Sequence, residues 1–131
     1  MTDRELFVLA VKAMDNAYAP YSHFRVGACI LSEDGRAFTG CNIENASFGG
    51  TICAERTALV KGVSEGARRF TAIAVAADNV DPWPCGICRQ MLNEFSLDMR
   101  VICGSRASGK ISVLPLKELL PHSFGPEDLQ A

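Results

Sequence analysis

Three cysteines constrain this chain more than any other feature: Cys53 in Thr51-Ile52-Cys53-Ala54-Glu55-Arg56, and Cys85 and Cys88 in Pro84-Cys85-Gly86-Ile87-Cys88. The pattern has the form of a catalytic zinc site, in which three thiolate or imidazole ligands hold the ion tetrahedrally and a fourth position is left to water. Any fold must therefore bring two segments some thirty positions apart to one point. Cys85 and Cys88, at i and i+3, share one flank of a helix. Cys53 has to reach them from a different element.

Glu55 follows the first thiol by two residues and fits the role of a base, not of a ligand. A carboxylate beside the ion can take a proton from its water and pass it to a leaving group. Side chains at i and i+2 do not share a helix flank, so Cys53 and Glu55 serve one centre only if the metal lies off the N-terminal end of their helix. Two helix N-termini aimed at one ion present positive dipole ends to the thiolates and lower their pKa. Three thiolates and Zn²⁺ still leave one negative charge, which weakens the acidification of water and calls for a nearby cation. Arg56 is the candidate donor to thiolate sulfur, with Gln90 a neutral candidate for the same task.

Along the chain, Thr2 and Glu5 have capping-box spacing, and Leu6, Ala10, Ala13 and Ala17 recur at helical intervals, predicting a helix over residues 3 to 17. Pro20 breaks it, and residues 18 to 24 form an irregular aromatic linker. Strands are expected at 25 to 32 and 36 to 41 around the Asp34-Gly35 turn, then a loop at 42 to 51 and a helix from about Cys53 to before Gly66. The apolar run 70 to 77 reads as a strand covered on both faces. Pro84 suits the first turn of a helix carrying Cys85, Cys88 and Gln90. Strands at 100 to 103 and 111 to 114 and a short helix at 116 to 120 complete the order αββαβαββα. Its alternating middle implies a βαβαβ core with parallel strands and right-handed crossovers. Ligands of such sheets lie beyond the carboxyl ends of the strands.

Bulk properties set the partners. With 131 residues, 48% hydrophobic and 21% charged, the chain is expected to form a single domain over 1–131 around one core. A net charge of −2 and a pI near 5.6 disfavour a surface for a phosphate backbone, so no nucleic-acid partner is expected, and a small neutral substrate fits better. No run approaches the roughly 20 apolar residues that span a bilayer. Without an N-terminal apolar region, the six cysteines read as metal or redox chemistry in a cytoplasmic protein.

The combination of Cys53-Ala54-Glu55 with Pro84-Cys85-x-x-Cys88 resembles the nucleoside deaminases, specifically the small zinc-dependent cytidine deaminases with three cysteine ligands, whose zinc signature is a known one. Tyr18-Ala19-Pro20-Tyr21-Ser22-His23-Phe24, Gly40-Cys41-Asn42-Ile43-Glu44-Asn45-Ala46, Cys53-Ala54-Glu55-Arg56-Thr57-Ala58 and Glu118-Leu119-Leu120-Pro121 carry the likeness over nearly the whole chain. It implies an α/β fold, a three-layer α/β/α sandwich around a mixed, largely parallel five-stranded sheet. It also implies one Zn²⁺ per chain on Cys53, Cys85 and Cys88, Glu55 as proton shuttle, and hydrolytic deamination of cytidine and deoxycytidine in pyrimidine salvage. Asn42 and Glu44, two apart and so on one side of an extended chain, are assigned by it to the ribose hydroxyls. Backbone groups near Ala54 are assigned to the pyrimidine edge. Phe24 is expected to pack on the ring, and Phe48 and Phe124 to help cover the site from neighbouring subunits of a homotetramer. Phe48 stands where many relatives carry tyrosine.

Several bland readings compete. Asn42 and Glu44 alone would read as an Asx turn or a solvated loop, and Phe24 as core. A structural zinc site would recruit a fourth cysteine from Cys29, Cys41 or Cys103, but all three fall in predicted strands, where a thiol is ordinarily a small hydrophobe. A thioredoxin-like redox site is similar at Trp83-Pro84-Cys85-Gly86-Ile87-Cys88 and leaves Cys53 and Glu55 unexplained. Deaminases of other cytosine compounds, such as blasticidin S, share the core motif. His23 and His122 lack metal-ligand spacing to the cysteines and read as bystanders.

Overall fold

The structure, a computed structural model, describes residues 1–130. Helix α1 (Asp3–Ala13) opens on Thr2, whose Oγ1 accepts from Glu5 N at 3.1 Å while Glu5 Oε1 accepts from Thr2 N at 3.0 Å. This reciprocal cap is worth about 1 kcal/mol. The helix ends four residues before the predicted boundary. A single 3-10 turn, Met14–Asn16, follows, and the chain then extends as Tyr18 N donates to Asn42 O (2.9 Å) and Tyr18 O accepts from Glu44 N (2.8 Å).

Strands β1 (Val26–Ser32) and β2 (Ala37–Cys41) form the expected hairpin, turned at Gly35 with φ +92°. Then come α2 (Ala54–Ser64), β3 (Phe70–Ala77), α3 (Gly86–Asn93), β4 (Arg100–Ser105), β5 (Ile111–Pro115) and α4 (Leu116–Leu119). The order along the sheet is β2-β1-β3-β4-β5. Period-two alternation along β3 divides its side chains between two layers. Ala72, Ala74 and Ala76 meet Leu6, Phe7, Ala10 and Met14 of the α1 side, while Ile73, Val75 and Ala77 meet Ala54, Ala58, Leu59 and Leu92 of the α2 and α3 side. The result is an α/β/α sandwich.

The sheet is mixed, as expected, but it is not largely parallel in its pairings. Only β3 and β4 pair in parallel; β1 is antiparallel to both β2 and β3, and β5 is antiparallel to β4. Strand and helix alternation fixes direction, and β2, β3 and β4 do run the same way. It does not fix adjacency: the β1–β2 hairpin inserts β1 between β2 and β3.

That shared direction places the N-termini of α2 and α3 at the carboxyl ends of β2 and β3. Gly40 lets α2 sit close on the sheet, since a Cβ there would lie 2.4 Å from Ala58 N and 2.7 Å from the Ala54 carbonyl oxygen. Arg89 fixes the start of α3 by donating from Nε to Pro84 O (2.6 Å) and from Nη1 to Leu119 O (2.7 Å). Among the described residues no helix is long and apolar enough to cross a membrane.

Candidate metal centre and active site

Cys53 is the N-cap of α2 and Cys85 the N-cap of α3, both with extended backbone, and neither cap is closed by a side-chain hydrogen bond. Cys88 lies one turn into α3. Two helices from different strands thus point first-turn N–H groups at one spot. The Cys53 and Cys85 sulfurs are 3.9 Å apart and those of Cys85 and Cys88 are 3.6 Å apart; all three lie within 4.8 Å of one another. Tetrahedral zinc with bonds of about 2.3 Å sets its sulfurs about 3.8 Å apart, so the trio already has the dimensions the ion needs. Among the described residues no other His, Cys, Asp or Glu cluster could hold a metal, and no fourth ligand joins this one.

All six cysteines are free. Cys29 and Cys103 are fully buried strand residues whose thiols burial pushes up to about 11 and about 12. They are inert hydrophobes. Cys53 is held well below the ordinary thiol range, first by its hydrogen bond with Cys88 and then by the Arg56 guanidinium; Cys88 is correspondingly held up. Of the three sulfurs, that of Cys53 is the one Arg56 faces.

Arg56 Nη2 stands 3.5 Å from Cys53 Sγ and 3.4 Å from Thr51 O. Its Nε is a buried donor without a partner, as suits a cation placed to neutralise the excess charge of a three-thiolate zinc site. Gln90 does not share this task, contrary to expectation. It gives Nε2 to Phe124 O at 2.8 Å, because two positions beyond Cys88 it leaves the helix on another flank.

Glu55 is only 5% exposed, in the first turn of α2. Burial pushes its carboxyl up to about 7, with the negative charge of Cys53 adding to the effect. A carboxyl held in this way is placed to serve both as acceptor and as donor of a proton.

Cys53, Cys85 and Glu55 open on one pocket of about 480 Å³. Phe24, Val26, Ile52, Ala54, Pro82 and Trp83 supply its apolar lining, and Asn42, Thr51 and Asp81 join the thiols and Glu55 as its polar groups. Neither lysine nor arginine lines it. Another cavity, of about 460 Å³, lies between the β1–β2 turn and the α2–β3 loop and is lined by no thiol.

The expected sugar contacts separate. Asn42 lines the pocket, held by Oδ1 accepting from Val26 N (2.9 Å) and Nδ2 donating to Phe24 O (2.7 Å). Glu44 is not in the lining; its carboxylate accepts from Tyr21 N, Ser22 N and Ser22 Oγ, clamping the aromatic linker. Phe24 lines the pocket, 44% exposed. Phe48 packs edge-on against Tyr21 and is 77% exposed, and Phe124 is 59% exposed beside Gln90. Neither lines this chain's pocket. Sequence reading missed Asp81 and Trp83; the available signal was their place in the loop that leaves the carboxyl end of β3 just ahead of Cys85. Nothing in the sequence marked Arg89.

A buried acid beside three thiols at zinc spacing, at the carboxyl edge of an α/β sheet, defines a metal-assisted hydrolytic centre. The sequence model of the cytidine and deoxycytidylate deaminase zinc-binding region matches residues 1–105. The chain is 48% identical over 130 residues to a cytidine deaminase of Halalkalibacterium halodurans, covering 97% of this chain and 98% of that one. With a cytidine deaminase of Sporosarcina psychrophila it shares 45% over 130 residues, covering 98% and 96%. The crystal structure of a Burkholderia pseudomallei cytidine deaminase superposes with a TM-score of 0.90 at 42% identity, over 95% of this chain and all of that one. This chain belongs to the cytidine and deoxycytidylate deaminase family.

Proposed function

We propose that this protein catalyses the zinc-dependent hydrolytic deamination of cytidine and deoxycytidine, yielding uridine and deoxyuridine with release of ammonia. The observation that carries the reading is the convergence of three thiols at tetrahedral zinc spacing, two of which, Cys53 and Cys85, line one pocket together with the buried Glu55. Zinc held by Cys53, Cys85 and Cys88 would supply Lewis acidity that lowers the pKa of a water. Glu55 accepts a proton from the water as its oxygen adds to C4 of the pyrimidine. The carboxyl returns that proton to N3, then moves the second to the amino nitrogen, so that ammonia leaves and the uracil carbonyl remains. Arg56 balances the thiolate charge. The N–H of Ala54, one of the first-turn donors that no helical carbonyl takes, is available to the pyrimidine edge, and Asn42 reaches the pocket for the sugar.

Both acids of the pocket, Glu55 and Asp81, would repel a phosphate, and no cation in the lining would receive one. This supports a free nucleoside over a nucleotide or a polynucleotide strand. A homotetramer fits the exposure of Phe48 and Phe124, whose rings would find cover, and a neighbour's pocket to close, in an assembly. Six free cysteines fit a single-domain enzyme of pyrimidine salvage in the reducing cytoplasm.

The test is ammonia release from cytidine by zinc-loaded protein, with Glu55→Ala run beside it. The parent is expected to release ammonia, and the variant to keep zinc while losing most turnover. A variant as fast as the parent would remove Glu55 from the mechanism. A folded parent holding about one zinc per chain and releasing nothing would point to another aminopyrimidine, blasticidin S included.

A further inference from the structure

Beyond the residues assigned above, we propose that Trp83 is a ring-binding residue of this pocket, its indole joining Phe24 in holding the flat heterocycle of the substrate; the inference rests on the reading of the site as a cytosine nucleoside deaminase. Phe24 and Trp83 are the two aromatic side chains in the lining, and they arrive from separate elements, the segment before β1 and the loop after β3. Trp83 is only partly buried. It packs on the core layer beneath α2 and α3 while also lining the pocket, so the core anchors a side chain that the pocket exposes.

Its position is fixed on both sides. The Trp83 N–H donates to Asp81 O at 3.0 Å, closing a tight turn. Pro84, next in the chain, is buried with its carbonyl held by Arg89. Cys85 is two residues on, so its Cα lies within about 7 Å of that of Trp83, and its thiol faces the same pocket. A pyrimidine whose C4 sits at the metal centre is therefore within reach of the indole. A rigid aromatic presented to a flat base adds about an order of magnitude in affinity, and because the contact is made equally to substrate and to the reacting complex it acts on KM and not on kcat.

Trp83 is the only tryptophan of the chain, so its emission reports on this wall of the pocket alone. The experiment titrates zinc-loaded protein with the product uridine while following that emission, and measures cytidine kinetics for the parent, Trp83→Ala and Trp83→Phe. The expected results are a saturable emission change whose midpoint matches the inhibition constant of uridine and a KM raised about tenfold in Trp83→Ala (about 1.4 kcal/mol) with kcat within about threefold. Trp83→Phe should recover most of the KM. An emission that stays constant while uridine inhibits, or a parental KM in Trp83→Ala, overturns the inference. If Trp83→Ala does not fold, the parental emission and Trp83→Phe decide alone. Turnover by the parent with a silent Trp83 defeats this inference and leaves the deaminase reading intact; a zinc-loaded parent without turnover defeats both.

Discussion

Gly40→Ala should damage stability and metal binding together, because the strand carrying Gly40 touches the helix that presents Cys53. The added methyl would sit 2.4 Å from Ala58 N and 2.7 Å from Ala54 O, where ordinary contact begins near 3.4 Å. Both obstacles are α2 backbone and cannot rotate aside. The helix must rise by about 1 Å, and overpacking of this kind costs about 1–3 kcal/mol. Cys53 caps that helix while Cys85 and Cys88 ride on α3. The shift therefore falls on the sulfur spacing, which has to be held within about 0.5 Å for a productive site. Urea unfolding of the metal-free variant is expected to register the 1–3 kcal/mol loss, and competition with a chromophoric chelator a zinc affinity at least about tenfold weaker. Stability within about 0.5 kcal/mol of the parent and unchanged zinc affinity would refute the claim that β2 sets the height of α2.

Cys88→Ser is expected to purify without stoichiometric zinc and without turnover; metal analysis finding a full complement would contradict its place in the trio. In native metal-free protein, alkylation at pH 8 should reach exposed Cys85 and spare Cys29 and Cys103, which hold their protons to about 11 and about 12. The unfolded chain releases those protons near the ordinary value of 9.0, so the folded state binds more of them above it. Stability should fall as pH rises from about 9, and a flat denaturation midpoint across that range would count against the burial. Asp81→Lys, which replaces a repelling charge with an attracting one, should raise kcat/KM for cytidine monophosphate relative to cytidine by about tenfold; an unchanged ratio would place the phosphate position elsewhere.

The order of elements was readable because local chemistry decides it: the Thr2 and Glu5 cap, the Asp34-Gly35 turn and the unbroken apolar β3 each act within a few residues. The convergence of the thiols was readable from spacing, since i and i+3 on one helix and a cap on another leave few ways to meet. Strand adjacency was not, because alternation of strand and helix is indifferent to a hairpin inserting β1 beside β3. Side-chain destinations beyond the first contact were also hidden. Gln90 goes to Phe124 O, Glu44 to the linker amides, and Arg89 to two carbonyls, one of them 30 residues away. Trp83 and Asp81 sit in a loop of ordinary composition, and only the carboxyl-end rule for α/β sheets pointed there.

The measurement that bears most directly on the central claim is zinc K-edge X-ray absorption on the zinc-loaded protein. Cys53, Cys85 and Cys88 as the whole protein share of a catalytic site predict three sulfur neighbours at about 2.3 Å and one lighter oxygen or nitrogen neighbour at about 2.0 Å. Four sulfurs would mean a closed structural site, and fewer than three would dissolve the trio on which the proposed chemistry stands.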